Sequence, residues 1–153
     1  MWIVGFTGTQ EGMTGQQEAN LAKLLSVISD LYGRSEFHHG DCIGADAMAH
    51  TIAIRLEYNI VVHPPINEVK RAHVINYKHI HTPKEYIARN HAIVDACDVL
   101  LATPKTINEE LRSGTWATVR YARKQRKTAI VIYPNGSTRT HIPPQLGNEE
   151  QEG

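Results

Sequence analysis

Three short stretches carry residue types that could do chemistry on a phosphate. They are Gly5-Phe6-Thr7-Gly8-Thr9, the run Gly40-Asp41-Cys42-Ile43-Gly44-Ala45-Asp46, and Ser113-Gly114-Thr115. Glycine lets the main chain approach a ligand closely, and the free N–H groups at a helix start favour an anion. The hydroxyls of Thr7, Thr9, Ser113 and Thr115 add donors. Taken singly, each stretch reads as a plain turn or helix cap, because those use the same residues. The weight lies in all three occurring in one chain. None is a Walker A loop, since Gly-Lys-Ser/Thr does not occur.

Other residues invite sharper readings. Nine histidines raise the question of a metal. His38 and His39 are neighbours on an expected strand, so they point to opposite faces and cannot hold one ion together. His79 and His81 could share a face, but no partner at zinc spacing accompanies them. Neither a metal nor a cofactor is expected. Cys42 could be a nucleophile, yet a small residue at a tight turn accounts for it. Arg120, Arg123, Lys124, Arg126 and Lys127 gather near the end of an expected helix, where cations suit the helix dipole and water. Contact with nucleic acid is the rival reading of that cluster. Trp116 reads equally as core or as a ring that stacks on a base. Arg71 and Tyr77 lie in a long loop and could close over a ligand, or face solvent.

The elements that must position these residues alternate in type. Apolar, β-branched runs predict strands over 2–6, 36–39, 59–63, 98–103 and 128–133. Leu21, Leu24, Leu25, Ile28 and Leu31 repeat at the spacing of one helical face after Thr14, with Gly33 as a stop. Ala45, Met48, Ala49, Ile52 and Leu56 share a second such face, and further helices are expected over 84–96 and 113–124. The stretch 66–83 has no clean period; part of it could form a short helix, and a loop of that length is often a lid. From Pro134 the chain is polar, Pro-containing and finally acidic.

Strands alternating with helices imply parallel strands joined by right-handed crossovers. The expected fold is α/β, a Rossmann-like three-layer sandwich with a mostly parallel five-stranded sheet. A ligand-binding domain over 1–135 and a flexible polar tail over 136–153 complete it. In such sheets ligands bind beyond the carboxyl ends of the strands, where the strand order reverses. All three glycine-rich stretches belong at that edge.

The overall composition narrows the function classes. Sixteen Lys plus Arg balance sixteen Asp plus Glu over 153 residues. That balance speaks against nucleic acid as a partner, since non-specific binding is driven by net positive charge. A hydrophobic share of 41% suffices for one core, and 21% charged is not the profile of a disordered chain. No apolar run reaches the roughly 20 residues that cross a bilayer, and no signal peptide or membrane partner is expected. Cys42 and Cys97 are too few for a disulfide scaffold, so a reduced, cytoplasmic protein is the expectation.

Together the segments resemble the SLOG superfamily of Rossmann-like nucleotide-binding proteins. That group includes the Lonely-guy phosphoribohydrolases, the DNA-processing Smf proteins, and small bacterial and phage members of the YspA/YpsA-related type. The resemblance is carried by Gly5-Phe6-Thr7-Gly8-Thr9, Gly40 to Asp46, His63-Pro64-Pro65, Arg89-Asn90, Asp95-Ala96-Cys97-Asp98-Val99 and Arg112-Ser113-Gly114-Thr115-Trp116. It implies a small-molecule partner, a nucleotide or nucleoside phosphate, that the protein senses or sequesters. Thr7, Gly8, Thr9, Ser113, Gly114 and Thr115 would hold the phosphate, and Arg89, beside Asn90, would sit over it. Asp41 and Asp46, on the loop held by Gly40 and Gly44, would face ribose or base. A homo-oligomer is expected on the same ground.

One departure bears on catalysis. In the phosphoribohydrolases a glutamate follows the glycine-threonine pair three residues later and takes part in cleaving the N-glycosidic bond. Here that position is Thr118, and the paired glycines ahead of it are replaced by Arg112-Ser113. Glu109 and Glu110 lie just upstream. The alternative to a binding module is therefore a nucleoside 5′-monophosphate N-glycosidase, with Asp46, Glu109 or Glu110 as the acid–base group. Single-stranded DNA binding through the basic cluster is a weaker alternative.

Overall fold

A computed structural model describes residues 1–144. Its elements, in chain order, are β1 (Trp2–Gly8), α1 (Gly15–Tyr32), β2 (Ser35–His39), α2 (Ala45–Arg55), β3 (Asn59–Val62), β4 (His79–Ile80), α3 (Tyr86–Ala96), β5 (Val99–Thr103), α4 (Gly114–Lys124), β6 (Thr128–Ile132) and β7 (Thr138–His141). They build one seven-stranded sheet in the order β4-β3-β2-β1-β5-β6-β7. Every neighbouring pair is parallel except β6 with β7, which is antiparallel.

The chain runs outward from β1 through β2 and β3 to β4, then returns through α3 to lay β5 on the other side of β1. The strand order therefore reverses between β1 and β5. Gly8 pairs with Thr103 at the carboxyl ends of these two strands, which places the crevice of a doubly wound sheet there.

Side-chain alternation sends the two strands' apolar residues to both faces. Val4 and Phe6 of β1, with Val99 and Leu101 of β5, pack with Leu21, Leu25, Ile28, Ala49 and Ile52 on the side of α1 and α2. Leu100 and Ala102 pack with Ile93, Val94, Trp116 and Val119 on the side of α3 and α4. All five residues of β5 are buried, as expected for a parallel strand covered on both faces. Each fully buried Leu contributes roughly 1.5–3 kcal/mol by leaving water.

Helix α1 starts where local chemistry stops the strand. Thr14 Oγ1 accepts from the Gln17 N–H and Gln17 Oε1 accepts from the Thr14 N–H, a reciprocal capping box. Gln17 also donates from Nε2 to the carbonyls of Pro104 and Ile132, both at 2.9 Å. One buried amide thereby ties the start of α1 to the chain leaving β5 and to the end of β6.

Two strands exceed the five expected. β4 is two residues long and β7 is polar and mostly exposed. Both are edge strands, which bury too little to carry the apolar alternation that reveals a central strand. β7 also takes residues 138–141 of the tail expected over 136–153, of which 145–153 lie outside the described residues. The 66–78 stretch forms no helix. It is an irregular strap with left-handed backbone at His73 and Asn76, and β4 ends it.

Candidate functional site

A cleft of about 840 Å³ opens at the reversal point between β1 and β5. Its wall is built from five parts of the chain: 6–11 at the end of β1 and beyond it, 40–46 from the end of β2 into α2, 67–70 of the strap, one face of α3, and 105–115 running into the first turn of α4. Of the residues named from sequence, Thr7, Gly8, Thr9, Gly40, Asp46, Arg89, Asn90, Glu110, Ser113, Gly114 and Thr115 line it. Asp41, Gly44 and Trp116 do not.

The start of α4 is the part of the wall suited to an anion. Ser113 is the N-cap, and its Oγ accepts from the Trp116 N–H at 3.2 Å. The N–H groups of Gly114 and Thr115 have no partner among the described residues, as the first turn of a helix leaves them. Arg112 stands beside them, and Lys70 belongs to the strap side of the same cleft. Neither cation has a carboxylate partner among the described residues. Lys105, also at the cleft, is paired with Glu11 at 3.0 Å.

The loop after β2 is braced by Asp46. Its Oδ2 accepts from the Gly40 and Cys42 N–H groups, each at 3.2 Å. Burial pushes the Asp46 carboxyl up to about 6, against the lowering effect of Arg89 and these two donors. Gly44 caps α2 in a backbone region open only to glycine, at φ 84° and ψ −125°. A side chain there would run into the Gln10 carbonyl, so Gly44 supports the cleft from behind instead of lining it.

Arg89 is 5% exposed and its donors are largely turned inward. Nη1 donates to the carbonyls of Gly40 and His63, and Nε donates to Asn90 Oδ1 at 2.7 Å. Nη2 lies 3.5 Å from Cys42 Sγ. A buried guanidinium needs acceptors, and main-chain carbonyls supply them. Arg89 thus brings positive charge to the cleft floor without presenting an open fork to it. Gly40 makes this possible, because a Cβ there would occupy the place of the guanidinium. Burial, with Asp46 next, raises the Cys42 thiol above its ordinary range; this is the environment of a thiol and not of a thiolate nucleophile.

One expected placement is corrected and two open alternatives are decided. Asp41, 1% exposed, faces the strap: Oδ2 accepts from Arg71 Nε at 2.7 Å and Oδ1 from the Val74 N–H at 2.9 Å. Its φ of 57° turns the carboxylate away from the cleft. Trp116 is 2% exposed in the α3–α4 core, its ring centroid 6.3 Å from that of Tyr133. Trp116 belongs to the buried face of α4, with Val119 and Ala122. Arg71, weighed as a closing residue, is bound to Asp41 instead. Thr118 is buried, its hydroxyl donating to the Gly114 carbonyl at 2.8 Å; α4 places no carboxylate in the cleft. Glu110 does line it, with Oε1 accepting from Thr106 Oγ1 at 2.8 Å.

The histidines form two hydrogen-bonded sets on opposite faces of β2. On one, the Asp41 N–H donates to His39 Nδ1 at 3.0 Å, so His39 carries its proton on Nε2 and donates to His50 Nδ1 at 3.0 Å. His50 Nε2 then donates to the Ile75 carbonyl at 2.7 Å. Burial drives the His39 imidazole well below its ordinary range. On the other face, His38 lies between Glu36 at 2.9 Å and His63 at 2.8 Å, and His63 stacks on His81 at 4.4 Å. Among the described residues no group of three or more His, Cys, Asp or Glu could hold a metal ion. In the basic cluster, Arg120 and Arg123 both pair with Glu109, at 3.5 and 2.5 Å.

Sequence reasoning missed Gln10, Asn67, Lys70, Tyr86, Lys105 and Arg112 at the cleft. Tyr86, Arg89, Asn90 and Ile93 follow helical i, i+3, i+4, i+7 spacing and all line it. That pattern was available once Arg89 was singled out. Asn67 and Lys70 carry no such signal, since a strap without periodicity gives no facing.

No family model and no curated protein matches the chain. Solved structures do. A molybdenum cofactor binding protein from Rippkaea orientalis matches with a TM-score of 0.65 and 23% identity, over 99% of this chain and 82% of its own. The molybdenum cofactor carrier protein of Chlamydomonas reinhardtii matches at 0.60 and 17%, over 85% and 75% of the two chains. DNA processing protein A from Helicobacter pylori, described for its single-stranded DNA binding mode, matches at 0.58 and 17%, over 99% and 72%.

Proposed function

We propose that this chain, whose fold is that of the SLOG superfamily, binds a nucleotide or nucleotide-derived phosphate ligand at the carboxyl edge of its sheet, as a sensor or sequestering module. We place it in the cytoplasm of a bacterium or a phage-infected cell, as a homo-oligomer. One observation carries the reading: the unengaged N–H groups of Gly114 and Thr115 share a single cleft with Thr7 to Thr9 and the cationic side chains of Lys70 and Arg112. Such an end of a helix attracts a phosphoryl group through its dipole and its free donors together. The similar proteins include two described as molybdenum cofactor binders or carriers and one described as binding single-stranded DNA. A ligand held at this edge fits that company.

Isothermal titration against ribose 5-phosphate, nucleoside mono- and diphosphates and ADP-ribose tests the reading. Saturable binding that requires the phosphate is expected; absence of binding across the panel overturns it. Single-stranded DNA is the weaker occupant, because Arg120 and Arg123 are engaged with Glu109. A DNA titration at low salt with no affinity removes it.

The second reading, a nucleoside 5′-monophosphate N-glycosidase, draws on Asp46. Its carboxyl, buried at the cleft and raised to about 6, is suited to passing a proton near neutral pH. The absence of a carboxylate at Thr118 weighs against it. Chromatography of incubated nucleotides decides: free base supports the hydrolase, intact nucleotide the binding module.

A further inference from the structure

We infer that Tyr86 is the platform on which a planar heteroaromatic ring of the ligand stacks, which makes it the residue that selects a base-bearing phosphate over a bare sugar phosphate. The inference rests on the phosphate-ligand reading above and extends it to the other half of the ligand.

Two aromatic residues line the cleft, Phe6 and Tyr86. Phe6 is 1% exposed and packs on Phe37 with ring centroids 5.6 Å apart, so its ring belongs to the core. Tyr86 is half-buried on the first turn of α3, and its phenol has no hydrogen-bond partner among the described residues. The Arg89 Cζ lies 5.5 Å from the ring centroid, over the ring. Arg89 is itself fixed by the carbonyls of Gly40 and His63 and by Asn90. The phenol ring thus rests on a rigid cationic support, and a ring held in place beforehand loses little freedom when a second ring joins it.

Asn90, one turn along the same face, adds direction. Arg89 Nε is a donor only, so the Asn90 atom 2.7 Å from it is the amide oxygen. That leaves the Asn90 Nδ2 donors for the cleft, where they suit a ring edge carrying a carbonyl or an unprotonated nitrogen. The start of α4, which lines the same cleft, is left for the phosphate. A nucleobase and a fused heterocycle of another kind share this planar chemistry.

The experiment measures binding of AMP, GMP and ribose 5-phosphate to the wild type and to Tyr86→Ala, Tyr86→Leu and Tyr86→Phe. Stacking on an aromatic ring is worth roughly five- to a hundredfold in affinity. Tyr86→Ala and Tyr86→Leu are expected to lose that factor for AMP and GMP and to keep ribose 5-phosphate within about twofold. Tyr86→Phe, which keeps the ring, is expected to stay near wild type for all three. The Leu variant preserves cover over Arg89 should the Ala variant fail to fold. Equal losses for all three ligands, or no loss for AMP and GMP, overturn the stacking role alone. Failure of the wild type to bind any of the three overturns the phosphate-ligand reading and this inference with it.

Discussion

Arg71 Nε lies 2.7 Å from Asp41 Oδ2, and this pair clips the 66–78 strap to the loop after β2. The same carboxylate accepts from the Val74 N–H, and the Asp41 carbonyl accepts from the Ala72 N–H at 2.7 Å. The Ile43 N–H donates to the Lys70 carbonyl at 2.9 Å. These contacts set the strap that carries Asn67 and Lys70 to the cleft.

Removing one partner of a largely buried pair leaves the other charge stranded, at a cost of about 3–5 kcal/mol. Asp41→Ala is expected near that figure, because it also loses the Val74 acceptor. Asp41→Asn tolerates the left-handed backbone and keeps an acceptor, so about 1–2 kcal/mol is expected. Urea denaturation measures both. Hydrogen exchange at the Ala72 and Val74 amides should accelerate in step, and unchanged protection there would show that the clip does not hold the strap.

Gly114→Pro separates anion binding from folding. The position is the first of α4, where proline is favoured, and Ser113 at φ −78° and ψ 126° already suits a residue before proline. A Cβ there meets nothing within 4 Å. Stability is expected to stay within about 1 kcal/mol of wild type. Affinity for a nucleoside monophosphate should drop about tenfold, the worth of one charge-assisted donor. Unaltered affinity would place the phosphate elsewhere.

Trp116→Phe addresses the ring once weighed as a base platform. The indole Nε1 is buried with no hydrogen-bond partner among the described residues, so losing it removes an unsatisfied donor as well as ring volume. A stability change below about 1.5 kcal/mol is expected, with nucleotide affinity unchanged. A selective loss of affinity would return Trp116 to the site.

Acid is expected to destabilise the protein. Burial holds His63 down to about 3 and His39 well below its ordinary range, with His38 and His81 lowered as well. Unfolded histidines titrate near 6.5. Below that pH the unfolded chain takes up protons that the folded chain refuses. The stability these neutral imidazoles supply is present above 6.5 and drains as pH falls toward 3. Each contributes a slope of up to about 1.4 kcal/mol per pH unit. Asp46 runs the other way: raised to about 6, it favours folding below 3.8 and loses that contribution as pH rises through 6. Several histidines outweigh one carboxyl, so the urea midpoint should fall between pH 7 and 5. His63→Gln should flatten that fall; a midpoint that rises toward pH 5 would contradict the assignment.

The residue order by itself determined the layers of this fold. Leu21, Leu25 and Ile28 recur at helical spacing, and 99–103 is apolar throughout, because a helix covered on one face and a strand covered on both must show those patterns. Gly40 and Gly44 marked the junction after β2 for the same reason: a close approach and a backbone region open only to glycine each restrict residue type. Tertiary structure decided the rest. Asp41, in the loop after β2, and Asp46, in the first turn of α2, lie five positions apart, yet one anchors the strap and the other lines the cleft. Which way each carboxylate turns depends on the φ of 57° at Asp41 and on donors from Arg71 and Val74, some 30 residues away. Edge strands β4 and β7 were hidden for a related reason. They exist because β3 and β6 offer free edges to pair with, and that is a property of the sheet that no local run of residues records.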